Sequence, residues 1–161
     1  MGLTDRRPRG AARALLRGPI VLYRAGFGRM FGHRLLYLAH RGRVSGKRRE
    51  TVLEVVGYDR HIPEAVVVSG WGHRSDWYRN ITASPALEVR VGAQRWRTPR
   101  QRALSTDETV APLRSYRSRH PRAWRRIAPI VGIPLDPGTA AARDRLARLP
   151  TVAFSPTRPH F

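Results

Sequence analysis

Chemistry in this chain concentrates in two short stretches. The first, Gly42-Arg43-Val44-Ser45-Gly46-Lys47-Arg48-Arg49, sets Arg43, Lys47 and Arg49 around a glycine-bracketed turn. Two glycines free the backbone to adopt positive φ and to aim N–H groups at one point, so the turn reads as a clamp for phosphate or carboxylate. The competing reading is a plain hairpin loop that is basic because the whole protein is basic. The second stretch, Ser69-Gly70-Trp71-Gly72-His73-Arg74-Ser75-Asp76-Trp77-Tyr78-Arg79-Asn80, places large flat side chains beside glycine. Glycine admits a ring closely, Trp71 or Trp77 can stack on it, and Asn80 can both donate to and accept from heteroatoms at its edge. Trp77 and Asn80, three apart on a short helix, occupy neighbouring positions of one face. Here the competing reading is structural, with Trp77 and Tyr78 plugging the end of a barrel.

Several familiar chemistries are excluded. Gly42 to Lys47 has three residues between its glycines where a P-loop needs four, and Arg48 follows the lysine in place of Ser or Thr. Gly26-Phe27-Gly28 opens like a dinucleotide fingerprint, but Phe31 stands where the third glycine belongs and the segment precedes the first strand. Ser45 lies one place too late for a nucleophile elbow, which makes it an anion donor and not an attacking group. The six histidines, His33, His40, His61, His73, His120 and His160, lack metal-ligand spacing, and there is no cysteine to join them, so no metal site is expected. Glu50, Glu54, Asp59, Glu64 and Asp76 are scattered and suggest no carboxylate pair for acid–base work. A protein with this inventory takes its chemistry from a cofactor.

The elements that must position the two stretches are mostly strands. Extended runs occur at Leu35 to Ala39, Thr51 to Tyr58, Ala65 to Ser69, Leu87 to Val91, Gln94 to Leu104 and Thr151 to Phe154, so about six short strands point to a barrel in a mainly β, α+β domain. Residues 51–58 are apolar on both faces, as expected of a barrel wall also covered outside. Gly92-Ala93 reads as a hairpin turn. One short helix is predicted from near Ser75 to before Pro85, and another from a Ser105-Thr106-Asp107-Glu108 capping box toward His120. The pattern does not fix the path from Tyr116 to Leu135; a further helix is expected over Ala140 to Leu149 after the Asp136-Pro137-Gly138 break. Pro8 to Met30 reads as two amphipathic helices divided at Gly18-Pro19, with an apolar face and a dense arginine face. Such a segment suits an anionic membrane surface through residues 6–30, or equally a helix capping one end of the core.

At 161 residues the chain fits one domain, here divided into an N-terminal helical segment, 1–33, and a barrel, 34–161. The absence of cysteine, of a contiguous apolar span and of a signal-type N-terminus suggests a cytoplasmic protein, in peripheral contact with the membrane if the N-terminal helices bind it. Eleven acidic residues against 31 basic ones leave a formal charge of +20, which attracts nucleic acid, anionic membrane or a multiply charged small ligand without choosing among them. Lys47 is the single lysine, and part of the arginine excess reflects a GC-rich coding bias.

Together, the Gly-Arg-x-Ser-Gly-x-x-Arg turn after the first strand and the Trp-Tyr-x-Asn helix after the third resemble the deazaflavin-dependent nitroreductase family, from about Leu35 to Val91. The resemblance implies a split β-barrel of the FMN-binding type and coenzyme F420 as cofactor, with FMN ranked second. It further implies hydride transfer to a quinone-like or nitroaromatic acceptor. Position by position, Arg43, Ser45 and Arg49 match the tail-binding turn, with the backbone of Val44 and Gly46 as further donors. Trp77 and Asn80 match the helix bordering the ring pocket, and Ser69 matches a small residue facing the ring. Lys47, Thr51 and Trp71 complete the expected cofactor-contacting set. The family often carries lysine where this chain has Val44, which removes one charge-assisted contact unless Lys47 or Arg48 replaces it. Tyr116 is the candidate for closing the acceptor side or protonating the reduced product. Two other classes compete: a membrane-associated lipid or cofactor carrier on the same barrel without redox activity, and a nucleic-acid binder, which charge favours but no reading motif supports. The oligomeric state stays open.

Overall fold

A computed structural model describes residues 20–157. Seven strands form one antiparallel sheet: β1 (Leu35–Arg41), β2 (Arg48–Asp59), β3 (Glu64–Val68), β4 (Glu88–Val91), β5 (Gln94–Arg97), β6 (Arg100–Leu104) and β7 (Thr151–Ser155). Their order across the sheet is β5-β4-β1-β2-β3-β7-β6. The two outermost strands, β5 and β6, are consecutive in the chain and joined only by Thr98 and Pro99. The sheet must therefore curl until its edges nearly meet, yet no ladder runs between them. The result is a split barrel, as expected.

The single strand expected over Gln94 to Leu104 is two strands, so the count is seven and not six. Thr98 sits at φ 46° and Pro99 has no N–H to give a ladder, so the chain turns there. The Gly92-Ala93 hairpin is present, with Gly92 at φ 55°.

Inside the barrel lie Leu36, Leu38, Val55, Val67, Val89, Val91, Trp96, Val152 and Phe154. Helix α1 (Asp76–Ala83) closes one end by inserting Trp77 and Ile81 into that cluster. Outside, Val56, Val66 and Ala153 are covered by α2 (Thr106–Arg119), α3 (Pro121–Val131) and α4 (Ala140–Leu146), through Val110, Leu113, Tyr116, Trp124, Ala128 and Leu146. Both faces of β2 are therefore apolar for the reason anticipated. That strand serves both halves of the sheet and bends where its register shifts between Val55 and Gly57. At Gly57 a Cβ would lie 3.1 Å from Pro112 Cβ, so glycine lets α2 approach the wall.

Helix α2 begins at the predicted capping box, with both reciprocal bonds of Ser105 and Glu108 formed. The stretch whose path was open holds α3, started by Pro121 and ended by Gly132 at φ 74°. Helix α4 ends at Leu146, three residues short of the expected Leu149. Before β1, residues 20–24 are helical and Phe27–Phe31 form a 3-10 turn. Tyr23 is buried there against Phe31 and Tyr37, and its hydroxyl donates to Leu35 O at 2.7 Å. The expected first helix, Pro8 to Gly18, lies outside the described residues. No helix among the described residues is long and apolar enough to cross a membrane.

Candidate functional site

The basic turn is the tip of the β1–β2 hairpin. Gly42 N–H donates to Lys47 O at 2.8 Å, Gly46 N–H to Gly42 O at 2.8 Å, and Gly46 takes φ 67°. Of the two glycines only Gly46 has the positive φ expected of the turn; a Cβ on Gly42 would lie 2.7 Å from Ser45 Oγ, which the serine can relieve by rotating. Ser45 Oγ accepts from Lys47 N–H at 3.3 Å, which folds the serine back over the turn. Val44, at the tip, is 93% exposed.

The two sequence stretches meet. Asn80 Oδ1 accepts from the Arg43 backbone N–H at 3.1 Å and from Arg43 Nη1 at 2.9 Å, while Arg43 Nη2 reaches Asp76 Oδ1 at 3.2 Å. On its other side the Asn80 amide bonds His40 Nδ1 at 3.1 Å. Asn80 and His40 are buried, so this chain of contacts locks the turn to α1. Burial, then the neighbouring Arg49 cation, hold His40 down at about 4 against a smaller opposing pull from Asp76. The imidazole is thus neutral at pH 7 and free to pair with a neutral amide. Sequence reasoning missed His40 and Asp76; a histidine facing Arg49 across the β1–β2 register was the available signal.

Arg43 is therefore committed within the protein, and Arg48 is drawn toward carboxylates as well. Arg48 lies 3.9 Å from both Glu50 and Glu88. Among the described residues the side chains of Lys47 and Arg49 have no carboxylate partner, so the turn presents two uncompensated charges beside the N–H groups of Val44 and Ser45, the Gly46 N–H being spent on Gly42 O. That donor set fits a phosphate or carboxylate tail.

Beyond the turn, β2 offers an open edge. Gly42–Lys47 and Val55–Arg34 are hydrogen-bonded pairs, so by the two-residue alternation Glu50, Val52 and Glu54 aim their backbone groups away from β1. On that side β3 pairs only from Val55 onward, leaving residues 50–54 without a ladder. From Arg49 to Glu54 this edge runs about 17 Å. Thr51 lies along it, half-buried.

The loop that leaves β3 is held from within. Ser69 is buried, and its Oγ donates to Gly72 O at 2.7 Å and lies 2.6 Å from Ser75 Oγ. Its hydroxyl therefore shapes the loop before α1. Trp77 belongs to the core, with Tyr78 edge-on against it. Trp71, by contrast, is 42% exposed and is the flat side chain of this loop available to a ligand.

Tyr116 lies elsewhere, near the end of the hairpin opposite the turn. It is 1% exposed, and its hydroxyl donates to Glu54 Oε1 at 2.6 Å. Burial and the Glu54 carboxylate push its pKa up to about 12. Arg34 Nη2 pairs with the same Glu54 oxygen at 3.2 Å. Glu54, dismissed as scattered in the sequence, is thus half of a Tyr–Glu pair whose members lie 62 residues apart. Beside it opens a cavity of about 390 Å³ lined by Met30, Phe31, Arg34, Leu35 and Glu54. No cluster of metal-ligating side chains occurs among the described residues.

The family model described as F420H(2)-dependent quinone reductase matches residues 21–126. No curated protein matches the chain. Among solved structures it is similar to an F420-H2 dependent reductase (FDR-A), with a TM-score of 0.51 and 17% identity over 77% of this chain and 96% of that one. A second, described as a domain-swapped dimer, aligns with a TM-score of 0.50 and 17% identity over 85% of this chain and 99% of that one. A pyridoxamine 5'-phosphate oxidase-related, FMN binding protein of Nostoc punctiforme aligns at 0.44 and 16% identity, covering 95% and 82%. At these identities the first two speak to fold alone.

Proposed function

Because the chain belongs to the F420H(2)-dependent quinone reductase family, we propose that it transfers a hydride from reduced coenzyme F420 to a quinone-like acceptor held near the Glu54 end of the β1–β2 hairpin. The enzyme is an F420-dependent reductase, and F420 is its cofactor. When bound, the deazaflavin supplies the hydride.

The observation that carries the residue assignment is the pair of unspent charges, Lys47 and Arg49, at the tip of a turn clamped by Arg43–Asn80. In this reading Lys47, Arg49 and the N–H groups of Val44 and Ser45 bind the anionic tail, while the Gly46 N–H, expected as a further donor, closes the turn on Gly42 O. Arg43 and Asn80 keep the turn in position, and Ser69 holds the loop that carries Trp71. The open edge at residues 50–54, with Thr51, borders the ring and leads from the tail toward Glu54. The cavity beside Glu54 suits a quinone, since Met30, Phe31 and Leu35 give it an apolar wall and Arg34 a donor for a carbonyl oxygen. Reducing a quinone also consumes a proton, and Glu54, hydrogen-bonded to the Tyr116 hydroxyl, is positioned to relay one. Nitroaromatics would enter the same cavity.

Exposed Val21 and Phe27, with Met30 at the cavity itself, favour one addition, peripheral contact with an anionic membrane through the N-terminal segment. A lipid-phase quinone would reach the cavity by that route.

Mixing the protein anaerobically with reduced F420 and menadione tests the acceptor assignment. Multiple-turnover oxidation of the cofactor is expected. Tight cofactor binding without turnover across several quinones and nitroaromatics would overturn it in favour of a carrier on the same barrel.

A further inference from the structure

A second cavity, of about 220 Å³, lies near the same end of the hairpin and is lined by Gly32, His33, Arg34, Val55, Gly57, Tyr58, Arg60, Arg119 and His120. Three guanidiniums and two imidazoles converge on it, and no acidic side chain lines it. Arg34 is paired with Glu54, whose carboxylate lines the other cavity; Arg60 and Arg119 have no carboxylate partner among the described residues. One wall is aromatic: His33 stacks on Tyr58 with ring centroids 4.0 Å apart and planes 25° apart. Gly57 contributes no side chain, and Val55 adds an apolar surface.

Arg60 and Arg119 are solvent-exposed, but cations gathered around a cavity without a carboxylate raise its potential, so the favoured occupant is an anion. The stacked wall and the small volume, below the roughly 300 Å³ at which drug-sized pockets begin, favour a single flat ring. We propose that this cavity binds a small aromatic carboxylate, its carboxylate held by Arg60 and Arg119 and its ring lying against the His33–Tyr58 stack. This site goes beyond the reductase reading and does not depend on it. Burial first, then the Arg60 charge for His33 and the Arg34 and Arg119 charges for His120, hold both imidazoles below the usual histidine range. A bound carboxylate offsets those cations, so occupancy also raises both histidine pKa values.

The experiment titrates the full chain with 4-hydroxybenzoate, following the ring resonances of His33 and His120 by NMR, with no F420 present. Saturable shifts at both rings are expected. The neutral amide, 4-hydroxybenzamide, should bind at least about tenfold more weakly, because it forfeits the charge-assisted contacts. Arg60→Gln and Arg119→Ala should each weaken the carboxylate similarly with an unchanged melting temperature, while Lys47→Ala leaves it unaltered. Equal binding of acid and amide, no saturable shift at either ring, or inorganic phosphate binding as tightly as the benzoate would overturn the proposal. Loss of F420 turnover in a separate assay would count against the reductase assignment and not against this site.

Discussion

The two ends of the β1–β2 hairpin carry charge in opposite ways. At the turn, Lys47 and Arg49 have no carboxylate partner among the described residues, and Val44 at the tip is bare to solvent. Near the other end, Arg34, Glu54 and Tyr116 satisfy one another through contacts of 3.2 and 2.6 Å. Unspent charge on a rigid turn is a device for binding something from solution, because nothing within the protein has to be displaced. Charge already paired beside a cavity with one apolar wall suits positioning and proton movement. In this account the tip grips and the far end reacts, and α1 keeps the tip in register through Asn80.

The sharpest way to break that division is to remove the grip. Lys47→Ala combined with Arg49→Ala should weaken F420 binding on the order of 100-fold, as two charge-assisted contacts of about 1.5–3 kcal/mol each are lost, partly screened at this exposure. Turnover at saturating cofactor should change little. Fluorescence titration of the cofactor reads the first effect and steady-state kinetics the second.

Breaking the lock comes next. Asn80→Ala leaves the Arg43 N–H and the buried His40 ring without their partner, at about 1–3 kcal/mol of stability. Denaturant unfolding measures that loss. The cofactor dissociation constant should rise too, though less than in the tip double variant, since the binding cations remain.

Tyr116→Phe probes the other end. Removing the hydroxyl should slow quinone reduction several-fold and leave cofactor affinity unchanged, the reverse of the tip variant. A matching loss of F420 affinity in Tyr116→Phe would erase the distinction between the ends.

A pH titration isolates the His40 contact. In the fold its pKa is about 4, against an ordinary 6.5. Below pH 6.5 the unfolded chain takes up a proton that the folded chain refuses, so stability falls as pH drops toward 4 and then levels. The slope reaches at most about 1.4 kcal/mol per pH unit, and His40→Gln should flatten it. The smallest effect belongs to Val44→Lys. At so exposed a position the added ammonium is worth under about 1 kcal/mol, a tightening of F420 binding of about fivefold or less.

What the sequence made legible was local. Alternating apolar runs disclosed most strands, the Ser105–Glu108 box announced α2, and two glycines marked the turn. One error was local too, since Pro99 forbids a continuous strand from Gln94 to Leu104, and one stretch stayed open because Pro121, Pro129 and Pro134 obscure α3. The site's partnerships were not legible, because they arise from barrel closure. Arg43 meets Asn80 across 37 residues and Tyr116 meets Glu54 across 62. No spacing in the chain encodes that Arg43 is committed internally while its neighbours Lys47 and Arg49 meet no carboxylate among the described residues. The same closure buries the Ser69 hydroxyl among its own loop atoms, where the resemblance implied a residue facing the ring.

The central claim, that the turn at Lys47 and Arg49 grips the anionic tail and nothing else of the cofactor, is tested most directly by a thermodynamic cycle. F420 and the corresponding deazaflavin nucleoside lacking the phosphate-bearing tail are each titrated into the native protein and into the Lys47→Ala, Arg49→Ala variant. The account predicts that native protein prefers F420 by about 100-fold and that in the variant, which keeps only the Val44 and Ser45 N–H groups, the preference collapses to about fivefold or less. An undiminished preference for F420 in the variant would contradict it.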